Sequence, residues 1–343
     1  MRTRSALVEL AVLTVVAACG SVETGQPGSM PSSTSASPFI TAAGPSAASI
    51  VPTQSEAARE TPAAIAVAPP PTSDRRLSQL MTHAGAARRD LTYCTMDGVD
   101  LKLDLFLPKK TGITPTLTVY VHGGAWTHGD KSGLWEVPEA PALLDAGFAV
   151  ASLDYRLAPG YKFPGMLEDV KCGIRSLRAH AADYGIDSTQ IGVWGTSSGG
   201  HLVSLVGTTD ASAGFDAGQY LDESSRVQAV VDMFGPADLT RFFGAGDRPF
   251  VEALFGGFDQ ARASPATYIS ADDPPFLLLH GDADLTVPLA QSQALYDSLS
   301  AGGVSAQLVI VKDGPHNLDS PAEIPPRAEL TEMVVDFFKE HLP

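Results

Sequence analysis

The sequence predicts an α/β fold, a mostly parallel eight-stranded sheet with helices on both faces and a small cap. Three observations carry that prediction. From about Arg75 onward, short apolar runs rich in β-formers alternate with longer helical patterns. The later runs are apolar at nearly every position, as strands buried on both faces are. One early run, VDLKLDLFL at 99–107, instead alternates apolar and polar residues, as a half-exposed strand does.

In chain order, strands are expected at 91–95 (LTYCT), 99–107, 117–122 (LTVYVH) and 148–155 (FAVASLDY). They continue at 190–195 (QIGVWG), 227–235 (VQAVVDMFG), 275–281 (PFLLLHG) and 306–312 (AQLVIVK). Helical patterns fall at 136–147, 165–183, 198–208, 289–301 and 324–341. Asp97-Gly98 between the first two runs is a hairpin signal, so the sheet is expected to open with an antiparallel pair.

The segment before this domain has a different texture. Arg2 and Arg4 precede a short apolar run, Leu7–Ala17, interrupted by Glu9. That pattern reads as an export signal over 1–18, too short for a membrane span. VAAC at 16–19 resembles the lipobox of bacterial lipoproteins, which implies lipidation of Cys19. Ordinary cleavage after Ala18 is the alternative, since Val16 and Ala18 are small enough for it. Residues 19–75, rich in Pro, Ser, Thr and Ala without apolar periodicity, read as a disordered tether. The folded domain is expected over 76–343. The chain is thus expected to be exported, held at the cell membrane by a lipid anchor or otherwise secreted.

The 39 acidic residues outnumber the 23 Lys and Arg, giving a net charge of −16. This balance argues against nucleic acid or anionic headgroups as partners. The three cysteines leave an even pair if Cys19 carries lipid. In an exported protein Cys94 and Cys172 form a candidate disulfide, against two buried free thiols. Such a bridge would be worth about 4.5 kcal/mol at most by loop entropy.

GTSSGG at 195–200 lies between an apolar strand and a helical pattern. That is the setting of a nucleophile elbow, and the G-x-S-x-G frame selects Ser197, between Gly195 and Gly199. A frame centred on Ser198 would need glycine where Thr196 stands. Ser198 instead offers its backbone N–H to a developing oxyanion. A serine needs a base and an acid downstream. LLLHGDADLTVP places Asp282 and Asp284 after one strand, and LVIVKDGPHNL places His316 after the last. Both loops lie at strand carboxyl ends, where α/β sheets form their crevices. The loop His122-Gly123-Gly124-Ala125, after the third strand, is expected to supply a second oxyanion donor.

HGGAW (122–126), DYRLAP (154–159), GTSSGG, HGDADLTVP (280–288) and GPHNL (314–318) together resemble the α/β-hydrolase carboxylesterases. The resemblance extends to the bacterial hormone-sensitive-lipase-like and feruloyl/acetyl-xylan-esterase-like branches, and covers roughly 90–342. It implies the α/β-hydrolase fold and a triad of Ser197, Asp284 and His316, Asp282 falling at a variable position. It assigns the loop donors to Gly124 and Ala125, an alanine where the family has glycine, and gives His122 a supporting role. It also implies hydrolysis of a short-chain or aryl/acetyl ester, of a small molecule or a polysaccharide, without a cofactor. An arylformamidase-like amidase or peptidase on the same fold is the alternative within enzymes. A catalytically dead surface binding module is the alternative outside them.

Phe242, Phe243, Phe250, Phe255 and Phe258 are candidates to roof an apolar substrate pocket, with Trp126 facing it. Plain packing of a small cap competes with that reading. Tyr155 and Arg156 read as structural support. The remaining histidines and cysteines lack metal-ligand spacing, so no metal site is expected. The sequence leaves the oligomeric state open.

Overall fold

The computed structural model describes residues 73–109 and 112–343. The export signal, Cys19 and the tether through residue 72 lie outside the described residues. Residues 73–75, read as the end of the tether, are instead the first turn of a helix. SDRRLSQLMTH places Leu77 and Leu80 three apart on one face, and Leu80 is buried against the body of the domain.

Among the described residues the first elements are α1 (Ser73–His83), β1 (Ala84–Met96), β2 (Val99–Pro108), β3 (Thr116–Val121), α2 (Glu139–Asp145) and β4 (Ala149–Leu153). Then come α3 (Gly165–Ala179), α4 (Ala181–Tyr184), β5 (Asp187–Thr196), α5 (Ser198–Thr208) and β6 (Ala229–Met233). The cap helices α6 (Leu239–Phe242) and α7 (Arg248–Phe255) precede β7 (Phe276–Gly281), α8 (Ala290–Ala301), β8 (Ala306–Val311) and α9 (Arg327–His341). The strands form one eight-stranded sheet in the order β1-β2-β4-β3-β5-β6-β7-β8. Strand β2 is antiparallel to both neighbours, and the pairs from β4 to β8 are parallel. Asp97 (φ 50°) and Gly98 (φ 78°) make the expected hairpin turn.

Alternation along the strands feeds two cores. Leu117, Val119 and Val121 of β3 enter the core covered by α3, α5 and α8, while Tyr120 enters the one under α1, α2 and α9. Likewise Phe276 and Leu278 of β7 face the first core and Leu277 and Leu279 the second. After β3 the chain turns outward to β4, then returns past β3 to β5. This reversal is a topological switch point, and it leaves a crevice where the loops after β3 and β5 diverge.

Differences from the sequence reading have local causes. β1 runs seven residues ahead of the expected 91, and shifts in register at Ala84/Ala86, Arg88/Leu91 and Thr92/Cys94 break its period-two pattern. The expected helix at 136–147 starts at Glu139, with Pro138 as its N-cap, and that at 324–341 starts at Arg327 after Pro325 and Pro326. The helix expected over 165–183 breaks at His180 into α3 and α4.

Cys94 of β1 and Cys172 of α3 are joined in a disulfide, their Cα atoms 6.4 Å apart, so the pair is not two free thiols. The bridge ties the edge strand to a helix across 78 residues of chain. Replacing both cysteines by alanine is expected to cost about 2–4 kcal/mol of stability. Urea unfolding of the two forms would read this as a lower midpoint, with a steeper slope because the unbridged unfolded chain is more expanded.

Candidate active site

Ser197 stands between β5 and α5 with φ 55° and ψ −119°, a conformation rare for any residue with a side chain. Its N–H is fixed by the Met233 carbonyl at 2.9 Å. Small neighbours are required by close approach. A Cβ on Gly199 would lie 2.0 Å from the Val121 carbonyl oxygen, and one on Gly195 would lie 2.5 Å from that of Gly199. Helix α5 can therefore start directly over the end of β3, which lifts the serine Oγ to the carboxyl edge of the sheet.

His316, in the loop after β8, brings Nε2 to 3.0 Å from Ser197 Oγ and Nδ1 to 2.7 Å from Asp284 Oδ2. A carboxylate accepts only, so Nδ1 carries the proton and Nε2 is left to accept from the serine hydroxyl. Asp284 Oδ1 accepts from the N–H groups of Thr286 and Val287 at 2.8 and 2.9 Å. Behind it, fully buried His280 donates from Nε2 to the Val287 carbonyl at 2.8 Å and also lies 3.3 Å from Asp284 Oδ2. Burial alone would raise the Asp284 pKa. The bonds from His280, His316, Val287 and Thr286 outweigh it and hold the carboxyl well below the usual range. The neighbouring Asp282 is exposed and accepts from the Asp313 N–H at 2.6 Å. The structure thus brings Ser197, His316 and Asp284 together and turns Asp282 away.

The loop after β3 passes through positive φ at Gly124 (126°), Ala125 (50°) and Trp126 (59°). A Cβ on Gly124 would lie 2.0 Å from the His128 carbonyl oxygen, so that position requires glycine. Alanine at 125 takes up the left-handed conformation that glycine would enter freely. Among the described residues, no carbonyl accepts from the N–H groups of Gly124, Ala125 or Ser198. The geometry leaves these amides free to bind a negative oxygen beside Ser197. His122 supports the loop from below. Its Nδ1 donates to the Gly123 carbonyl at 2.7 Å, its ring stacks on Tyr155 at 4.2 Å, and Tyr155 Oη donates to the His122 carbonyl at 3.0 Å. Arg156, likewise structural, forms a buried pair with Asp169.

Burial pushes His122, and His201 in α5, down to about 4 from the ordinary 6.5. Between those values the unfolded chain binds protons that the folded chain refuses. Stability is therefore expected to fall as the pH drops from about 6.5 to about 4, by on the order of 1–3 kcal/mol per histidine. Denaturant midpoints at pH 7 and pH 4.5 would check this, and equal midpoints would contradict it.

Two cavities flank Ser197. The larger, about 770 Å³, is walled by Arg76, His128, Glu136, Asn317, Asp319 and Arg327. The smaller, about 320 Å³, is walled by Trp126, Phe242, Phe243, Phe250, Val287 and Pro288. Phe255 and Phe258 do not line it; they pack around Phe163 with centroids 6.0 and 5.0 Å away. The sequence reading missed Arg76 and Arg327, each paired with a carboxylate (Glu136 and Glu139), because both lie on elements distant in sequence from every motif.

A family model described as BD-FAE matches residues 103–299. The chain is 36% identical over 217 residues to a probable carboxylic ester hydrolase of Mycobacterium tuberculosis (strain ATCC 25618 / H37Rv), LipM, covering 60% of this chain and 49% of that protein. It spans about half the length of the curated relatives it matches. Among solved structures, a truncated carbohydrate esterase from gut microbiota is similar at TM-score 0.68 and 29% identity, over 76% of this chain and 97% of that one. Thermogutta terrifontis esterase 2 phosphonylated by sarin is similar at TM-score 0.64 and 25% identity, over 76% of this chain and 98% of that one.

Proposed function

The chain belongs to the BD-FAE family of α/β-hydrolase carboxylesterases, and from that membership we propose that it is a serine carboxylester hydrolase working through an acyl-enzyme. The observation that carries this reading is the unbroken relay from Ser197 through His316 to Asp284, at 3.0 and 2.7 Å. Ser197 Oγ attacks the ester carbonyl carbon while its proton passes to His316 Nε2. The new oxyanion accepts from the N–H groups of Gly124, Ala125 and Ser198. Asp284 stabilises the imidazolium. His316 returns the proton to the departing alcohol oxygen. Water then gives a proton to His316 as it attacks the acyl carbon; the bond to Ser197 Oγ breaks, His316 returns that proton to Oγ, and the acid leaves.

The two cavities divide the substrate. The aromatic pocket takes a short acyl group, and the larger polar cleft takes a hydroxyl-bearing alcohol such as a sugar. The likeness to a carbohydrate esterase supports that division. The test is a p-nitrophenyl ester series with a fluorophosphonate probe and a matched anilide alongside. Acetate, propionate and butyrate are expected to turn over faster than laurate, and the probe to mark Ser197 by mass spectrometry. Phe243→Ala is expected to move the optimum toward longer chains. An unlabelled Ser197, or an anilide hydrolysed faster than its ester, would overturn the proposal.

A further inference from the structure

One buried hydrogen bond beside the reaction centre lies outside the relay. Trp126 Nε1 donates to His201 Nδ1 at 3.2 Å, and His201 Nε2 lies 2.7 Å from the Ala263 carbonyl oxygen. An indole N–H only donates and a carbonyl only accepts. His201 is therefore the neutral imidazole with its proton on Nε2, and both of its nitrogens are committed. The rings meet edge to face, centroids 5.3 Å apart, and Trp126 and His201 are 3% and 1% exposed.

The position of this bond gives it a role. Trp126 and Ala125 are consecutive non-glycine residues in the left-handed region, which persists only where the surroundings enforce it. Ala158 N–H holds the Trp126 carbonyl at 2.9 Å, and the indole packs near Phe243 and Phe250. His201 supplies the remaining polar anchor. It sits on α5, the helix whose first residue is Ser198, and it reaches Ala263 beyond the cap helices. One imidazole thus joins the loop carrying the Gly124 and Ala125 amides to the helix carrying the Ser198 amide.

We propose that His201 is a positioning residue for the oxyanion hole, fixing the loop after β3 against α5 through Trp126. Without an acceptor, the buried indole N–H must move toward water, and the loop follows it out of the left-handed conformation. The amides then miss an oxygen whose negative charge develops only in the transition state, so kcat falls while KM holds. This rests on the esterase reading above.

The test compares His201→Leu, His201→Asn, Trp126→Phe and the Leu/Phe double variant with wild type on p-nitrophenyl acetate, with melting temperatures measured beside the kinetics. Asparagine Oδ1 stands where Nδ1 stands and accepts from the indole; leucine cannot. His201→Leu is expected to lower kcat by about 10- to 100-fold with KM within about threefold, and His201→Asn to stay within about fivefold of wild type. The double variant is expected to be no worse than the poorer single variant, since it leaves no donor without an acceptor. If His201→Leu does not fold, Trp126→Phe decides, with kcat expected to fall about fivefold. An active wild type with unimpaired His201→Leu, or folded Asn and Leu variants equally impaired, or an unchanged Trp126→Phe, overturns the inference alone. An inactive wild type overturns the esterase reading and the inference with it.

Discussion

Replacing Ser197 by alanine is expected to reduce ester turnover by at least about 10⁴-fold while the fold survives. The size follows from the absence of a substitute. Ser198 Oγ is fully buried and its side chain belongs to the helix rather than the crevice, so the second serine of the pair cannot take over. What would remain is the contribution of the free amides at Gly124, Ala125 and Ser198. The elbow's left-handed backbone, φ 55° at residue 197, is also adopted by the smaller alanine, and the melting temperature should move little. Steady-state rates on p-nitrophenyl acetate, with phosphonate labelling as the second readout, check this. Activity within tenfold of wild type would remove Ser197 from the mechanism.

Asp284→Asn is expected to lower kcat by about 10³- to 10⁴-fold. The amide keeps the shape but changes what His316 Nδ1 meets at 2.7 Å. Asn Oδ1 remains occupied by the N–H groups of Thr286 and Val287, so the NH₂ group must face His316. It donates where the carboxylate accepted, and the imidazole takes the opposite tautomer, with its Nε2–H turned toward the serine hydroxyl. That histidine can no longer accept the serine proton. The same change removes an acid-stability contribution. A carboxyl held below its ordinary pKa stabilises the fold above the usual carboxylate range, and this contribution is lost as the pH falls through the lowered value. Asp284→Asn should therefore both inactivate the enzyme and flatten its acid unfolding between pH 4 and pH 2. Asp282→Asn is the control, since among the described residues the Asp282 carboxylate meets only the Asp313 N–H, and kcat should stay nearly unchanged.

Much of the architecture was legible in the sequence because parallel strands buried on both faces write themselves as continuous apolar runs. Ser197 was legible for a related reason: the close approach of α5 to β3 forces glycine at 195 and 199, and so leaves a frame. The choice between Asp282 and Asp284 was not legible from spacing, since both follow β7. It is made by the loop, whose amides at 286 and 287 catch the later side chain while the earlier one turns to Asp313. β1 was half hidden because its register shifts scramble the alternation. The Trp126–His201 bond spans 75 residues and carries no local pattern at either end. Its partners appear only once the sheet has brought β3 and β5 side by side.

Helix α1 lines the larger cavity through Arg76, which pairs with Glu136 in the same lining. The reaction chamber is therefore completed by residues that precede the first strand. Trimming the chain to its sheet would remove Arg76 from the wall of this opening and Leu80 from the core beneath it. An expression clone meant to keep this opening as it stands therefore has to retain α1, which begins at Ser73.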